Sequence, residues 1–185
     1  ITLLDVGLNP TRTGLIDVLR AMGADLTISP LREEAGEPMC DLTVRSAPLH
    51  AATIAGETVV RMIDEFPVLA VAATQAQGAT VVRDAAELRV KETDRIGRMV
   101  DALQTLGARI HGRPDGFVVE GPTPLHGGVV ESGGDHRLAM ALTVAGLAAD
   151  APVLVRDTAC TADSFPGFVD LLTHLGGEIE VGECK

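Results

Sequence analysis

The chain has 185 residues, 46% of them hydrophobic, and carries a formal net charge of −11. That length and apolar content fit one folded domain with a real core and exclude a disordered segment. The acidic balance and the absence of Trp and Tyr argue against nucleic-acid binding by phosphate neutralisation or base stacking, and no apolar stretch is long and uncharged enough to span a bilayer.

Taken in order, Thr2 to Val6 reads as a strand, Asn9-Pro10-Thr11 as a turn and helix start, and Gly14 to Met22 as a helix stopped at Gly23. Asp25 to Ser29 and Asp41 to Arg45 read as strands around a polar turn, Arg32 to Pro38. Ala52 to Ile54 and Thr58 to Val60 are short strand-like pieces. Asp64 stands before the helix Glu65 to Ala73, where Pro67 falls in the first turn. An N-cap is one ordinary use for that aspartate. Ala79 to Val82 is a strand. Ile96, Met99, Val100, Leu103 and Leu106 then give one face of a helix that stops at Gly107. Ala108 to His111 and Phe117 to Glu120 read as a hairpin around Arg113-Pro114-Asp115-Gly116. Gly127 to Glu131 is strand or loop, and Asp135 caps the apolar helix of Leu138 to Ala148. Val153 to Val155 is a strand, Phe165 to Leu175 the last helix and Glu178 to Val181 the last strand.

This order repeats. Asp17 to Ala24 matches Asp101 to Ala108 and Asp170 to Gly177. Upstream, Leu3-Leu4-Asp5 aligns with Val82-Arg83-Asp84 and Val155-Arg156-Asp157. An alanine-rich helix precedes the second and third of these strands. The pattern predicts three related units, 1–55, 56–125 and 126–185, the first lacking its front. Helices apolar nearly all round, such as Val68 to Ala76, predict a buried helical layer with sheets outside.

The polar residues that catalysis could use sit at helix starts. Lys91, Glu92 and Arg95 fall where a strand hands over to a helix, and His136 and Arg137 follow Asp135. Unpaired N–H groups and the macrodipole make these ends positive, so they suit phosphate or carboxylate. Arg95 and Arg137 are the wrong charge for such ends unless an anion lies between them. Glu92 is then either an ion-pair partner or a proton-transfer group. Cys40, Cys160 and Cys184 are odd in number and widely spaced, with no CxxC. They predict reduced, incidental thiols in a cytoplasmic protein, and no metal-ligand spacing occurs.

Arg89-Val90-Lys91-Glu92-Thr93-Asp94-Arg95, Asp135-His136-Arg137, Ile63-Asp64-Glu65-Phe66-Pro67 and Cys160 to Pro166 together resemble the signatures of the 5-enolpyruvylshikimate-3-phosphate synthase family, in order and over nearly the whole chain. The resemblance implies an α/β (α+β), inside-out barrel-type domain of repeated helix–strand units, with buried parallel helices and outer mixed β-sheets. Members of the family are more than twice as long, so the chain is expected to be a single domain, the C-terminal half of an enolpyruvyl transferase, whose N-terminal domain is its partner. The implied reaction moves the enolpyruvyl group of phosphoenolpyruvate to the 5-hydroxyl of shikimate 3-phosphate. It needs no metal or redox cofactor and involves neither nucleic acid nor membrane. By resemblance Asp64 contacts the shikimate hydroxyls and is a candidate base, Glu92 is a candidate proton donor, and Lys91 lies between the substrates. Arg95 and Arg137 grip phosphoenolpyruvate beside His136. Asp163 stands where some members carry a phosphoenolpyruvate-binding lysine, and Glu87 where some carry asparagine. Glyphosate, a competitor for the phosphoenolpyruvate site, is an implied ligand. The alternatives are a UDP-N-acetylglucosamine enolpyruvyl transferase and a non-catalytic anion-binding domain.

Overall fold

A computed structural model describes residues 1–182 of the chain. Cys184, expected as an incidental thiol, lies outside the described residues. The first segment contains β1 (Thr2–Gly7), α1 (Gly14–Ala21), β2 (Asp25–Ile28), β3 (Arg32–Glu34) and β4 (Glu37–Arg45). Next come β5 (Thr53–Ile54), α2 (Glu57–Val60), α3 (Phe66–Thr74), β6 (Gly78–Val82), α4 (Arg95–Thr105), β7 (Arg109–Arg113) and β8 (Gly116–Gly121). The last are β9 (Gly128–Glu131), α5 (His136–Leu147), β10 (Val153–Arg156), α6 (Thr161–Ser164) and α7 (Phe168–His174).

Among the described residues the strands form three separate sheets. In the first, β4 pairs antiparallel with both β1 and β2, and β3 folds back on β4. In the second, β8 pairs antiparallel with both β6 and β7, and β5 adds to β6 in parallel. The order β1-β4-β2 is thus the order β6-β8-β7. The third sheet is the parallel pair β9 and β10. Each of the aligned aspartates Asp5, Asp84 and Asp157 has a positive φ, near 55°, which a non-glycine residue adopts only when its surroundings demand it. The glycines after α1, α4 and α7, which are Gly23, Gly107 and Gly176, share the left-handed conformation that closes a helix.

Helices line the interior, and sheet one-sidedness completes it. On α3, Phe66, Pro67, Leu69, Ala70, Val71, Ala73 and Thr74 are all buried, and only Val68 and Ala72, one turn apart, are partly exposed. Small residues let the helix lie close to α5, whose Leu138, Ala139, Ala141, Leu142 and Ala145 are buried. The amphipathic α4 adds Ile96, Met99, Leu103 and Leu106. From the second sheet Ile110 and Phe117 point inward, and Phe117 meets Phe66 edge-on at 6.1 Å.

Two connecting segments show that these helices run the same way. Thr123 N–H donates to the Thr74 carbonyl at the end of α3, His126 N–H to the Leu106 carbonyl at the end of α4, and Asp150 N–H to Leu125 just beyond α5. Three helix C-termini therefore meet along Thr123–His126. Likewise His50 N–H donates to Met22 at the end of α1, while Gln77 N–H, beyond α3, donates to Leu49. The two connectors read Pro48-Leu49-His50 and Pro124-Leu125-His126. The repeated tripeptide is a further internal correspondence in the chain.

Four local expectations fail. Thr58 to Val60 is helical, not extended. Gly56 turns the chain at φ 62° and Val59 drops into the core, so packing overrides a β-branched run. Arg32 to Pro38 is not a plain turn but a hairpin, closed by Ala35 and Gly36 at positive φ. The last helix starts at Phe168 rather than Phe165, because Pro166 and the left-handed Gly167 intervene, and α6 is an unexpected single turn of helix before them. Glu178 to Val181 forms no strand.

Candidate active site

The N-terminal ends of α3, α4 and α5 are joined by side chains, opposite the connectors that hold their C-terminal ends. α4 is opened by Asp94, whose carboxylate accepts from Gly97 N–H at 3.0 Å and from Arg89 at 2.8 Å. α5 is opened by Asp135, whose Oδ1 accepts from the Arg137 and Leu138 amides at 3.0 and 3.3 Å. The other oxygen of Asp135 accepts from Arg95 Nε at 2.7 Å and from Thr93 at 3.3 Å. Asp135 is thus both a cap and the counter-charge of an arginine from the neighbouring helix.

Arg95 is 1% exposed. Its Nη2 reaches Glu92 at 2.5 Å and its Nη1 reaches Asp64 at 3.4 Å. Burial alone would lower the Arg95 pKa, but the hydrogen bond and charge of Asp135, with Glu92 and Asp64 behind, raise it. Burial pushes Asp135 up in the same way, and Arg95 with the two α5 amides brings its pKa below the ordinary value. The anions demanded by Arg95 at a positive helix end are therefore three carboxylates of the protein itself.

Asp64 does not cap α3. Glu65 holds that position, and no side chain bonds the free amides. The Asp64 side chain instead faces the other helix tips. Oδ1 of Asp64 takes Arg95, while Oδ2 lies 3.2 Å from Arg137 Nη2 and 3.2 Å from Arg12 Nη2. Arg12 also donates to Glu65 at 3.0 Å, and Glu65, first by its hydrogen bond and then by its charge, raises the Arg12 pKa. Sequence reasoning missed Arg12. It lies in a 3-10 turn of the first segment, 52 residues from Asp64, so only a fold could bring the two together.

Of the expected site residues, Asp64, Glu92, Arg95 and Arg137 form one connected cluster. Lys91 stands next to Glu92 in the chain, but its ammonium group pairs with Glu87 at 2.7 Å. His136 is partly buried in the first turn of α5. Asp163 lies exposed in α6, next to Cys160. Burial, followed by the charges of Asp135 and Asp163, raises the Cys160 thiol pKa, and burial does the same for Cys40, so both favour the protonated, weakly nucleophilic form. Among the described residues no group of three or more His, Cys, Asp and Glu side chains has the arrangement to hold a metal ion.

A tight set of guanidinium and carboxylate groups at converging helix tips suits the orientation of anionic reactants and the transfer of protons beside them. A family model described as EPSP synthase (3-phosphoshikimate 1-carboxyvinyltransferase) matches residues 1–172. The chain belongs to the EPSP synthase family. It is 56% identical over 167 residues to the 3-phosphoshikimate 1-carboxyvinyltransferase of Geobacter sp. strain M21, covering 90% of this chain and 39% of that protein. The corresponding protein of Desulforudis audaxviator is 53% identical over 175 residues, covering 95% of this chain and 41% of the relative. An EPSP synthase structure from Acinetobacter baumannii superposes with a TM-score of 0.93 at 40% identity, covering 98% of this chain and 42% of that one. The enolpyruvyl transferase NikO from Streptomyces tendae shares the fold, with a TM-score of 0.72 at 24% identity over 90% of this chain and 36% of that one. The chain spans about two fifths of the length of the curated relatives it matches. The EPSP synthase fold agrees with the inside-out arrangement of buried parallel helices and outer mixed sheets.

Proposed function

We propose that the chain forms one wall of the active site of an enolpyruvyl transferase, as a domain made of the units 1–55, 56–125 and 126–185. In this reading the longer polypeptide moves the enolpyruvyl group of phosphoenolpyruvate to the 5-hydroxyl of shikimate 3-phosphate and releases phosphate. The observation that carries it is the Asp64 carboxylate, which faces Arg12, Arg95 and Arg137 where helix tips converge. The recurring φ of Asp5, Asp84 and Asp157 and the shared order of the first two sheets support the division into units.

The acceptor oxygen bonds to C2 of phosphoenolpyruvate, its proton leaves to a base, and the methylene carbon gains a proton. Loss of phosphate with one proton from that carbon restores the enol double bond. Asp64 is the proposed base. Glu92, half-exposed and tethered to Arg95, is the proposed proton donor. Lys91 lies between the substrates after release from Glu87. Arg137, beside His136, receives the carboxylate or phosphate of phosphoenolpyruvate. Arg95 has carboxylates at Nε, Nη1 and Nη2, so its larger contribution is to hold Asp64, Glu92 and Asp135 in register, with its two remaining N–H groups available to substrate. Glyphosate competes for the same donor site, and the setting is cytoplasmic. No helix among the described residues is long and apolar enough to cross a membrane.

Steady-state kinetics of the longer polypeptide test the assignments. Glu92→Gln and Asp64→Ala are expected to abolish most turnover with little loss of fold. Arg137→Ala weakens phosphoenolpyruvate binding by about 2 kcal/mol, the low end for a truncated charge partner. Normal turnover in either carboxylate variant removes that residue from the mechanism. Turnover with UDP-N-acetylglucosamine in place of shikimate 3-phosphate would assign the chain to the other branch of enolpyruvyl transfer.

A further inference from the structure

The cluster at the helix tips brings Arg12, Arg95 and Arg137 against Asp64, Glu65, Glu92 and Asp135. Carboxylates outnumber guanidinium groups, so the protein's own side chains already neutralise its cations. A phosphorylated or carboxylated ligand entering there is held most firmly where a guanidinium turns from a carboxylate toward it. Arg95 is not free to turn, since it is 1% exposed and meets a different carboxylate with each of its three nitrogens. The groups that can turn are Arg137, with a side chain 30% exposed, and Arg12, 50% exposed.

Arg12 has the features of a receiving group. Both of its carboxylate contacts use Nη2, leaving Nε and Nη1 without a protein partner among the described residues. Partly solvated pairs of this kind are weak and exchange readily. The backbone beneath is fixed. Asn9 Oδ1 accepts from Thr11 N–H at 3.0 Å, and Arg61, from the segment before Asp64, donates to the Pro10 carbonyl at 2.8 Å, to Asp17 at 2.7 Å and to the Thr13 hydroxyl. Arg12 Nη2 and Arg137 Nη2 each lie 3.2 Å from the same oxygen, Asp64 Oδ2. One acceptor oxygen therefore already fits between them, and a phosphate or carboxylate oxygen has the same size and charge preference.

We propose that Arg12 is a second anion-receiving arginine of this site, shifting with Arg137 from Asp64 to an incoming phosphate or carboxylate and so uncovering Asp64 as the ligand binds. The proposal rests on the enolpyruvyl-transfer reading. It adds a ligand contact from the first segment of the chain, outside the motifs that carry the family resemblance.

The test titrates the isotope-labelled 185-residue chain with phosphoenolpyruvate, and separately with inorganic phosphate, and follows arginine side-chain and backbone N–H resonances. Wild type, Arg12→Ala, Arg12→Lys and Arg137→Ala are compared. Arg12→Ala is expected to bind about fivefold more weakly, the effect of one partly solvated charge contact. Arg12→Lys should regain part of the affinity through charge without the planar fork. The urea midpoint of Arg12→Ala should match wild type, which a merely structural role would not allow. If Arg12→Ala binds as tightly as wild type while Arg137→Ala does not, Arg12 is not a receiving group and the site reading stands. A lowered urea midpoint with no recovery in Arg12→Lys also overturns the proposal. If wild type binds neither probe, the enolpyruvyl-transfer reading falls with it.

Discussion

Arg95 and Asp135 are 1% and 0% exposed, and each is surrounded by groups that make sense only if the other is present. Removing the aspartate leaves a buried guanidinium with an incomplete set of acceptors and takes the cap from α5. Asp135→Ala is therefore expected to destabilise the chain by about 3–5 kcal/mol, the usual cost of orphaning one partner of a buried pair, measured by urea denaturation. The pH dependence follows from the direction of the Asp135 shift. Its folded pKa lies below its unfolded value because Arg95 and the α5 amides outweigh burial. The stabilising contribution is present above the unfolded carboxylate range and is lost as pH falls below about 4 toward the folded pKa. Asp135→Asn should flatten that acid limb. An acid limb identical to wild type would mean that other carboxylates dominate it. Asp64 differs in kind, because it is half-encircled by cations yet spends nothing on capping, which makes it the least explained carboxylate of the cluster in purely structural terms.

At the scale of elements, two features position the cluster. The Asp94 cap fixes where α4 begins and hence where Arg95 points. Asp94→Ala should cost about 1 kcal/mol, the typical loss of an N-cap, together with the exposed Arg89 contact. A chemical denaturation midpoint unchanged from wild type would contradict the cap. Close approach of β6 and β8 fixes the second sheet under α3 and α4. A Cβ at Gly116 would stand 2.1 Å from the Val82 carbonyl oxygen. Gly116→Ala must therefore move backbone and is expected to lose about 1–3 kcal/mol or more. A variant of wild-type stability would show that the two strands are less tightly apposed. Elements with a strong apolar period, such as α4, and hairpins with turn residues, such as β7–β8, were legible in the sequence because local propensity and packing agree there. Thr58 to Val60 was not, because Val59 burial outweighs its β-branched preference. The late start of α7 was legible in Pro166-Gly167, and the apolar period from Phe165 masked it.

At the scale of the whole molecule, the same-direction packing of α3, α4 and α5 sums their positive ends at one face, while the two Pro-Leu-His connectors tie the opposite ends. This is how a chain of net charge −11 can still concentrate cations locally. The motifs around Lys91 to Arg95 and Asp135 to Arg137 marked that face in the sequence, since their charge opposes the helix dipole without an anion. Arg12 lies 52 residues from Asp64 and Arg95 lies 31 from it, so the gathering of three arginines at Asp64 leaves no local signal. As the chain spans about two fifths of its relatives' length, it is expected to bind anions weakly and to form no enolpyruvyl product by itself. Product formed by the purified chain would refute that division of labour.

The most direct measurement is residue-by-residue mapping of phosphoenolpyruvate binding on the labelled chain. Saturable shifts confined to Arg12, Asp64, Lys91 to Arg95 and Asp135 to Arg137 are the predicted result. Shifts centred instead on the connectors around His50 and His126, or spread evenly over the surface, would contradict an anion site at the converging helix tips.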